Sequence, residues 1–131
     1  MILDASAALD LLTVETEIGA WVGRQLEGER VLDAPHLIDL EVLSGLRKRV
    51  LRRELGTRSA RLALTEFQEL RIRRYPTDAL LDRIWALRER LTPYDAAYVA
   101  LAEALGAPLV TTDRRLARAG GHRARIVAYG V

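Results

Sequence analysis

The chain has 131 residues, half of them apolar, which suffices for one domain that buries roughly two thirds of the surface its unfolded form exposes. It has no cysteine, which excludes disulfides, thiolate catalysis, zinc fingers and iron–sulfur ligation, and no apolar run approaches the ~18 residues of a membrane span. The formal charge of +2 hides a segregation, since residues 1–46 sum to −7, residues 47–74 to +7 and residues 75–131 to +2.

"MIL" predicts a short strand ending at Asp4, followed by the helix formers "ASAALDLL". Asp4 and Asp10 stand where a signal peptide would carry basic residues, so a cytoplasmic protein without a membrane partner is expected. Residues 15–27 place Ile18, Trp21, Val22 and Leu26 at helical spacing, and "RVLDAP" gives a second strand near 31–33, closed by Pro35. Two helical stretches follow, about 36–52 and 58–70, separated by Gly56. "LRIRRYP" reads as a third strand stopped by Pro76, and "TDALLDRIWALRER" as a helix with Leu80, Leu81, Ile84, Trp85 and Leu87 on its buried side. A helix from 93 to about 105, a break at "GAP", a strand at "LVT", a short helix from 114 and a last strand in "ARIVAYG" complete the chain.

Five short strands separated by helices, with no hairpin signal of the Asn-Gly kind, predict an α/β fold: one domain over residues 1–131 with a mostly parallel five-stranded sheet flanked by helices. Ligands of such sheets bind beyond the carboxyl ends of the strands. Asp4 follows the first strand directly and Asp113 follows "LVTT" after the fourth, so both project at that edge, where each is also a candidate helix cap. Thr92, Pro93 and Asp95 fit the N-cap, N1 and N3 positions of a capping box. Glu41 has no such local role, because it lies inside a helix with Leu37 and Gly45 at its i±4 positions and no ion-pair partner there. A mid-helix glycine costs about 1 kcal/mol relative to alanine, and the small neighbours Ser44 and Gly45 are expected to leave room for something to approach that face.

If Glu41 joins Asp4, Asp95 and Asp113 at that edge of the sheet, four like charges share a small volume and require protons or cations to compensate them. Hard divalent ions with oxygen ligands do this, and Mg²⁺ takes one or two carboxylates, keeps several waters and completes its shell with substrate phosphate. No cysteine competes for a catalytic role, and the two histidines, His36 and His122, sit at a helix start and in a Gly-rich loop. The +7 segment holds nine arginines and the only lysine, a composition suited to phosphate oxygens but equally to a solvated helix face. Acid-held metal beside an arginine-rich segment points to phosphodiester hydrolysis.

The assembled residues resemble a PIN domain, and more narrowly the VapC-type ribonuclease toxins of bacterial type II toxin–antitoxin pairs. "ILDASAAL" resembles the family's first motif, "APHLIDLEVLSGLRKRV" its second, and "LTPYDAAYVALAEALGAPLVTTDRRLARAG" its third and fourth together. Residue by residue, the resemblance implies an acidic site of Asp4, Glu41, Asp95 and Asp113, with Asp4 and Asp95 as direct ligands of Mg²⁺ or Mn²⁺. Glu41 and Asp113 would complete the site or orient water, and Ser6, Thr111 and Thr112 would orient the ligands. It also implies an RNA substrate, a homodimer, and a VapB-type antitoxin whose C-terminal segment covers the site, in a heterotetramer or larger assembly.

The basic residues Arg47, Lys48, Arg52 and Arg53 are the candidate RNA contacts. Trp21 and Trp85 are assigned to the core or a dimer interface, since stacking on bases needs aromatics among the basic residues and Phe67 is the only one in that block. One alternative keeps the fold and the chemistry but has no antitoxin, a nuclease of RNA maturation or DNA processing. The other is a non-catalytic α/β binding module, disfavoured because the only lysine lies in a helix and no phosphate-binding glycine motif occurs.

Overall fold

The structure, a computed structural model, describes residues 1–13 and 16–130; Glu15, the expected start of the second helix, lies outside them. In chain order the elements are β1 (Ile2–Leu3), α1 (Ala5–Thr13), α2 (Glu17–Leu26), β2 (Leu32–Pro35), α3 (Ile38–Leu51), α4 (Thr57–Glu69) and β3 (Ile72–Tyr75). A 3₁₀ turn (Asp78–Leu80) runs into α5 (Leu81–Ala86), and α6 (Pro93–Leu105), β4 (Leu109–Thr111), α7 (Arg114–Arg118) and β5 (Ile126–Ala128) follow. The strands form one sheet in the order β3-β2-β1-β4-β5, with every pairing parallel.

This order decides where a site can form. The chain steps outward from β1 to β2 and β3, then returns to place β4 on the other side of β1, so the strand order reverses between β1 and β4. Helices diverge from the sheet at such a reversal and leave a crevice beyond the strand ends. Ile2 lies opposite Leu109 and Leu3 opposite Val110, and the Asp4 N–H continues the ladder to the Val110 carbonyl at 3.1 Å. Asp4 and Thr111 therefore leave the sheet side by side.

Central parallel strands are covered on both faces and read as apolar throughout, as Ile2, Leu3, Leu109 and Val110 do. Against β1, β2 and β4 lies α6, whose Ala96, Ala97, Ala100 and Ala102 are buried, small side chains that allow a helix to lie close to the sheet. Its start is fixed by Thr92, whose hydroxyl accepts from the Asp95 N–H at 3.2 Å, and by Pro93 in the first turn. Gly106 ends it in the left-handed region (φ 59°), a conformation that costs glycine nothing.

Sequence expectation and structure differ at Pro35, which is the last paired residue of β2, opposite Tyr75, instead of closing the strand, and further at the helix after Pro76 and at Gly45. The helix expected after Pro76 is a 3₁₀ turn followed by one and a half turns of α-helix, and of its five named apolar residues only Leu87 is buried. Leu80 and Ile84 are half-buried, whereas Leu81 and Trp85, one position further round, are exposed (57% and 67%). So short an element has one buried stripe, and Trp85 lies outside it with the Arg88 guanidinium 4.6 Å over its ring. Trp21, by contrast, is half-buried and packs edge-on against Tyr129, 5.5 Å between centroids.

Gly45 leaves no room for a ligand, because Leu9 of α1 fills the space. A Cβ built at position 45 would clash with Leu9 Cδ1 and lie 3.2 Å from its Cγ, so the glycine permits close approach of α1 and α3. Gly45→Ala should destabilise the protein by about 1–3 kcal/mol despite its better helix propensity, the usual cost of overpacking. In a denaturant double-mutant cycle with Leu9→Ala, the two changes should couple favourably; additivity would show that the helices do not meet there.

Candidate functional site

Asp4 is 6% exposed, and both hydrogen bonds it accepts come from hydroxyls. Ser6 Oγ donates at 2.6 Å and Thr111 Oγ1 at 2.7 Å, each to Oδ2. No donor reaches Oδ1 among the described residues, yet it is not a sealed orphan, so it retains access to the crevice. Asp4 therefore does not cap α1. Its orienting hydroxyls are themselves fixed: the Thr112 N–H donates to Ser6 Oγ at 3.2 Å and the Asp113 N–H to Thr111 Oγ1 at 3.0 Å.

Glu41, in the first turn of α3, receives a hydrogen bond from the hydroxyl of Tyr98 at 2.8 Å. Tyr98 is fully buried on α6, three residues after Asp95 and so on the same helix face. That i+3 spacing is the one signal by which the sequence pointed to Tyr98. Asp95 stands half-buried in the first turn of α6, and Asp113 caps α7, accepting from the Arg115 N–H at 2.9 Å and its guanidinium at 3.1 Å.

The four expected acids thus come to one edge from four segments, and they feel one another. Burial pushes the Asp4 carboxyl above its ordinary range, against the Ser6 and Thr111 hydroxyls that lower it, and Asp95 and Asp113 raise it further. Burial likewise raises Glu41, opposed by the Tyr98 hydroxyl and reinforced by Asp4 and Asp95. Asp95 is raised by burial and then by Asp113, with Arg115 opposing. Tyr98 is also raised, by burial and then Glu41, so it stays a hydrogen-bond donor. Among the described residues no three acidic or histidine side chains close around a single point. Uncompensated carboxylates hold apart, and an open oxygen-only set with a free Oδ1 suits a hard cation that keeps water in its shell.

A further acid missed from the sequence is Asp10. Its carboxylate accepts from Thr112 Oγ1 at 2.6 Å and from Arg49 Nη2 at 3.4 Å, while Arg49 also reaches Thr13. This joins the β4–α7 loop that carries Asp113 to the helix that carries Glu41. Arg49 is therefore structural, as are Arg73, paired with Asp33 at 3.5 Å, and Arg74, held by both oxygens of Asp39 and 5.8 Å over the buried Phe67 ring. The expected RNA contacts Arg47, Lys48, Arg52 and Arg53 are all exposed and make no ion pair among the described residues.

The PIN domain family model matches residues 1–122. The chain belongs to the PIN-domain family. Ribonuclease VapC9 of Mycobacterium tuberculosis is 45% identical to it over 120 residues, which cover 92% of this chain and 91% of the relative. Ribonuclease VapC12 of the same organism is 43% identical over 126 residues, 96% of each. In three dimensions this PIN domain is similar to the crystal structure of PAE2754 from Pyrobaculum aerophilum, with a TM-score of 0.68 and 27% identity, covering 95% of this chain and 81% of that one.

The raised carboxyls of this PIN domain fix a sign for its pH dependence. A carboxyl whose folded pKa lies above its unfolded value stabilises the protein fully below the unfolded value and loses that contribution as pH rises through the folded one. Asp4, Glu41 and Asp95 are of this kind. Glu103 is the opposite case, held down to about 2 by the hydrogen-bonded Arg83 guanidinium, and its contribution is lost only as pH falls toward that value. In chelator, the melting temperature should rise as pH is lowered from 7 toward about 5. Asp95→Asn should raise it at pH 7 and flatten the dependence; a melting temperature that falls steadily over this interval in both proteins would contradict the shared field.

Proposed function

We propose that the chain is a divalent-metal-dependent endoribonuclease, the toxin of a type II toxin–antitoxin pair, with Asp4, Glu41, Asp95 and Asp113 as its acidic site. The observation that carries this reading is the convergence of four mutually repelling carboxylates at the β1–β4 crevice, in a member of the VapC ribonuclease family. As such a member it is a hydrolase.

Asp4 and Asp95 would hold the ion, Mg²⁺ with Mn²⁺ able to substitute, and Glu41 and Asp113 would complete the site or position water. The ion would supply a lowered pKa for bound water and offset negative charge on the leaving oxygen. Ser6 and Thr111 keep Asp4 Oδ2 occupied and so aim Oδ1 outward, and Thr112 fixes Ser6. Tyr98 holds one oxygen of Glu41 and leaves the other free to take a proton or a water.

The exposed ends of α3 and the turn after it, with Arg47, Lys48, Arg52 and Arg53, supply the charge for an RNA backbone. A VapB-type antitoxin is the expected partner, by the family of its relatives. Exposed Leu81 and Trp85 on α5 support a homodimer, since large apolar side chains grouped on a surface favour burial by a second copy. No helix among the described residues is long and apolar enough to cross a membrane, and we place the activity in the cytoplasm.

Purified protein should cut a mixed RNA pool with Mg²⁺ or Mn²⁺ and fail to do so in EDTA. Folded Asp4→Asn and Asp95→Asn variants should have lost cleavage; retention of activity in either would remove that residue from the site. Arg52→Ala/Arg53→Ala should bind RNA more weakly, with a log–log salt slope shallower by about two. An unchanged slope would return both arginines to the solvated face.

A further inference from the structure

Between α3 and the start of α6 the surface opens into a hollow of about 430 Å³, walled by Leu37, Leu40, Glu41, Ser44, Lys48 and Tyr94. Glu41 belongs to this hollow and to the acidic edge alike, so the two are continuous. Glu41, Ser44 and Lys48 recur at i, i+3 and i+7 and share one side of α3, the carboxylate and the ammonium roughly 10 Å apart along its axis. Tyr94, immediately before Asp95, leaves 64% of its surface to solvent and makes no hydrogen bond among the described residues. Its ring also borders a second hollow of about 380 Å³ on the side of Leu81 and Ile84.

We propose that this hollow is the subsite for the nucleotide next to the scissile phosphate, with Tyr94 as the stacking platform for its base and Lys48 as the cation for its far phosphate. The proposal rests on the ribonuclease reading and adds a specificity element to it. A nucleotide carries a phosphate at each end and an aromatic base between them. The hollow offers Glu41 of the acidic edge at one end, the Lys48 ammonium two turns further along α3, and an aromatic ring and leucine side chains in its wall. Every base has a face that stacks, so the subsite recognises single-stranded RNA without demanding one sequence. An apolar partner would match the leucines but bury Glu41 and Lys48, two charges it could not satisfy.

The test uses the full chain and a labelled single-stranded RNA of mixed sequence, with Ca²⁺ in place of Mg²⁺ and binding read by fluorescence anisotropy. Tyr94→Ala should weaken binding about tenfold and Tyr94→Phe by less than about twofold, because the phenyl ring still stacks. Lys48→Ala should weaken binding and make the salt slope shallower by about one, with recovery in Lys48→Arg. Metal binding by calorimetry and mass by light scattering should match wild type in all four variants. Tyr94→Ala that binds RNA like wild type would overturn the subsite: an accompanying loss of dimer would assign the hollow to a second copy, and unchanged mass would leave Tyr94 a solvated surface residue. Wild-type protein that neither binds nor cuts RNA would remove the ribonuclease reading and the subsite with it, a result distinct from a wild type that cuts RNA while Tyr94→Ala is indifferent.

Discussion

Asp4 ends the central strand of the sheet almost out of contact with water, and no cationic side chain pairs with it among the described residues. A lone buried carboxylate is costly, and here Asp95 and Asp113 raise that cost by repulsion. The fold meets the cost in part with two hydroxyls on one oxygen, from Ser6 two residues along and Thr111 on the neighbouring strand. Those hydroxyls need partners of their own, which the backbone of Thr112 and Asp113 provides. The geometry of the β4–α7 loop is thus tied to the side chain at the end of β1, and the crevice at the strand-order reversal keeps one Asp4 oxygen open to solvent, a proton or a cation.

The charge segregation seen along the chain has a second use besides RNA. Arg49 meets Asp10, Arg73 meets Asp33 and Arg74 meets Asp39, and each pair joins an acid from residues 1–46 to an arginine from 47–74. Partly exposed pairs of this kind contribute little stability, about 0–1 kcal/mol each, but they set which segments lie together. The remaining cations of α3 and its C-terminal turn are left to solvent. One block of like residues therefore divides into structural arginines facing the acidic segment and free cations facing outward.

Much of the sheet and three of the four acids were legible because they leave local marks: short apolar runs at β1, β4 and β5, Asp directly after β1 and two residues after β4, and a Thr-Pro-x-Asp helix start at 92–95; Glu41 stood out only as a mid-helix acid without a local ion-pair partner. What was not legible depended on contacts distant in sequence. Tyr98 looks like any core aromatic until α6 is laid beside α3, 57 residues earlier. Asp10 reads as a solvated residue of α1 until Thr112 and Arg49 arrive. Gly45 signals close approach in the sequence, but only the fold shows that Leu9, not a ligand, makes it. The short α5 misled because its leucines and tryptophan fit a helical period that the chain does not continue far enough to bury.

Whether the acidic crevice takes up a cation is measured by a calorimetric titration of Mn²⁺ at pH 6 in two buffers of different ionisation enthalpy. Binding should be accompanied by net proton release, visible as a buffer-dependent heat, because burial and mutual repulsion favour the protonated forms of these carboxyls and the ion favours the ionised ones. Asp95→Asn should bind more weakly and release fewer protons. Absence of Mn²⁺ binding in the folded protein, or binding with no proton release that Asp95→Asn leaves unchanged, would contradict cation uptake by these carboxyls.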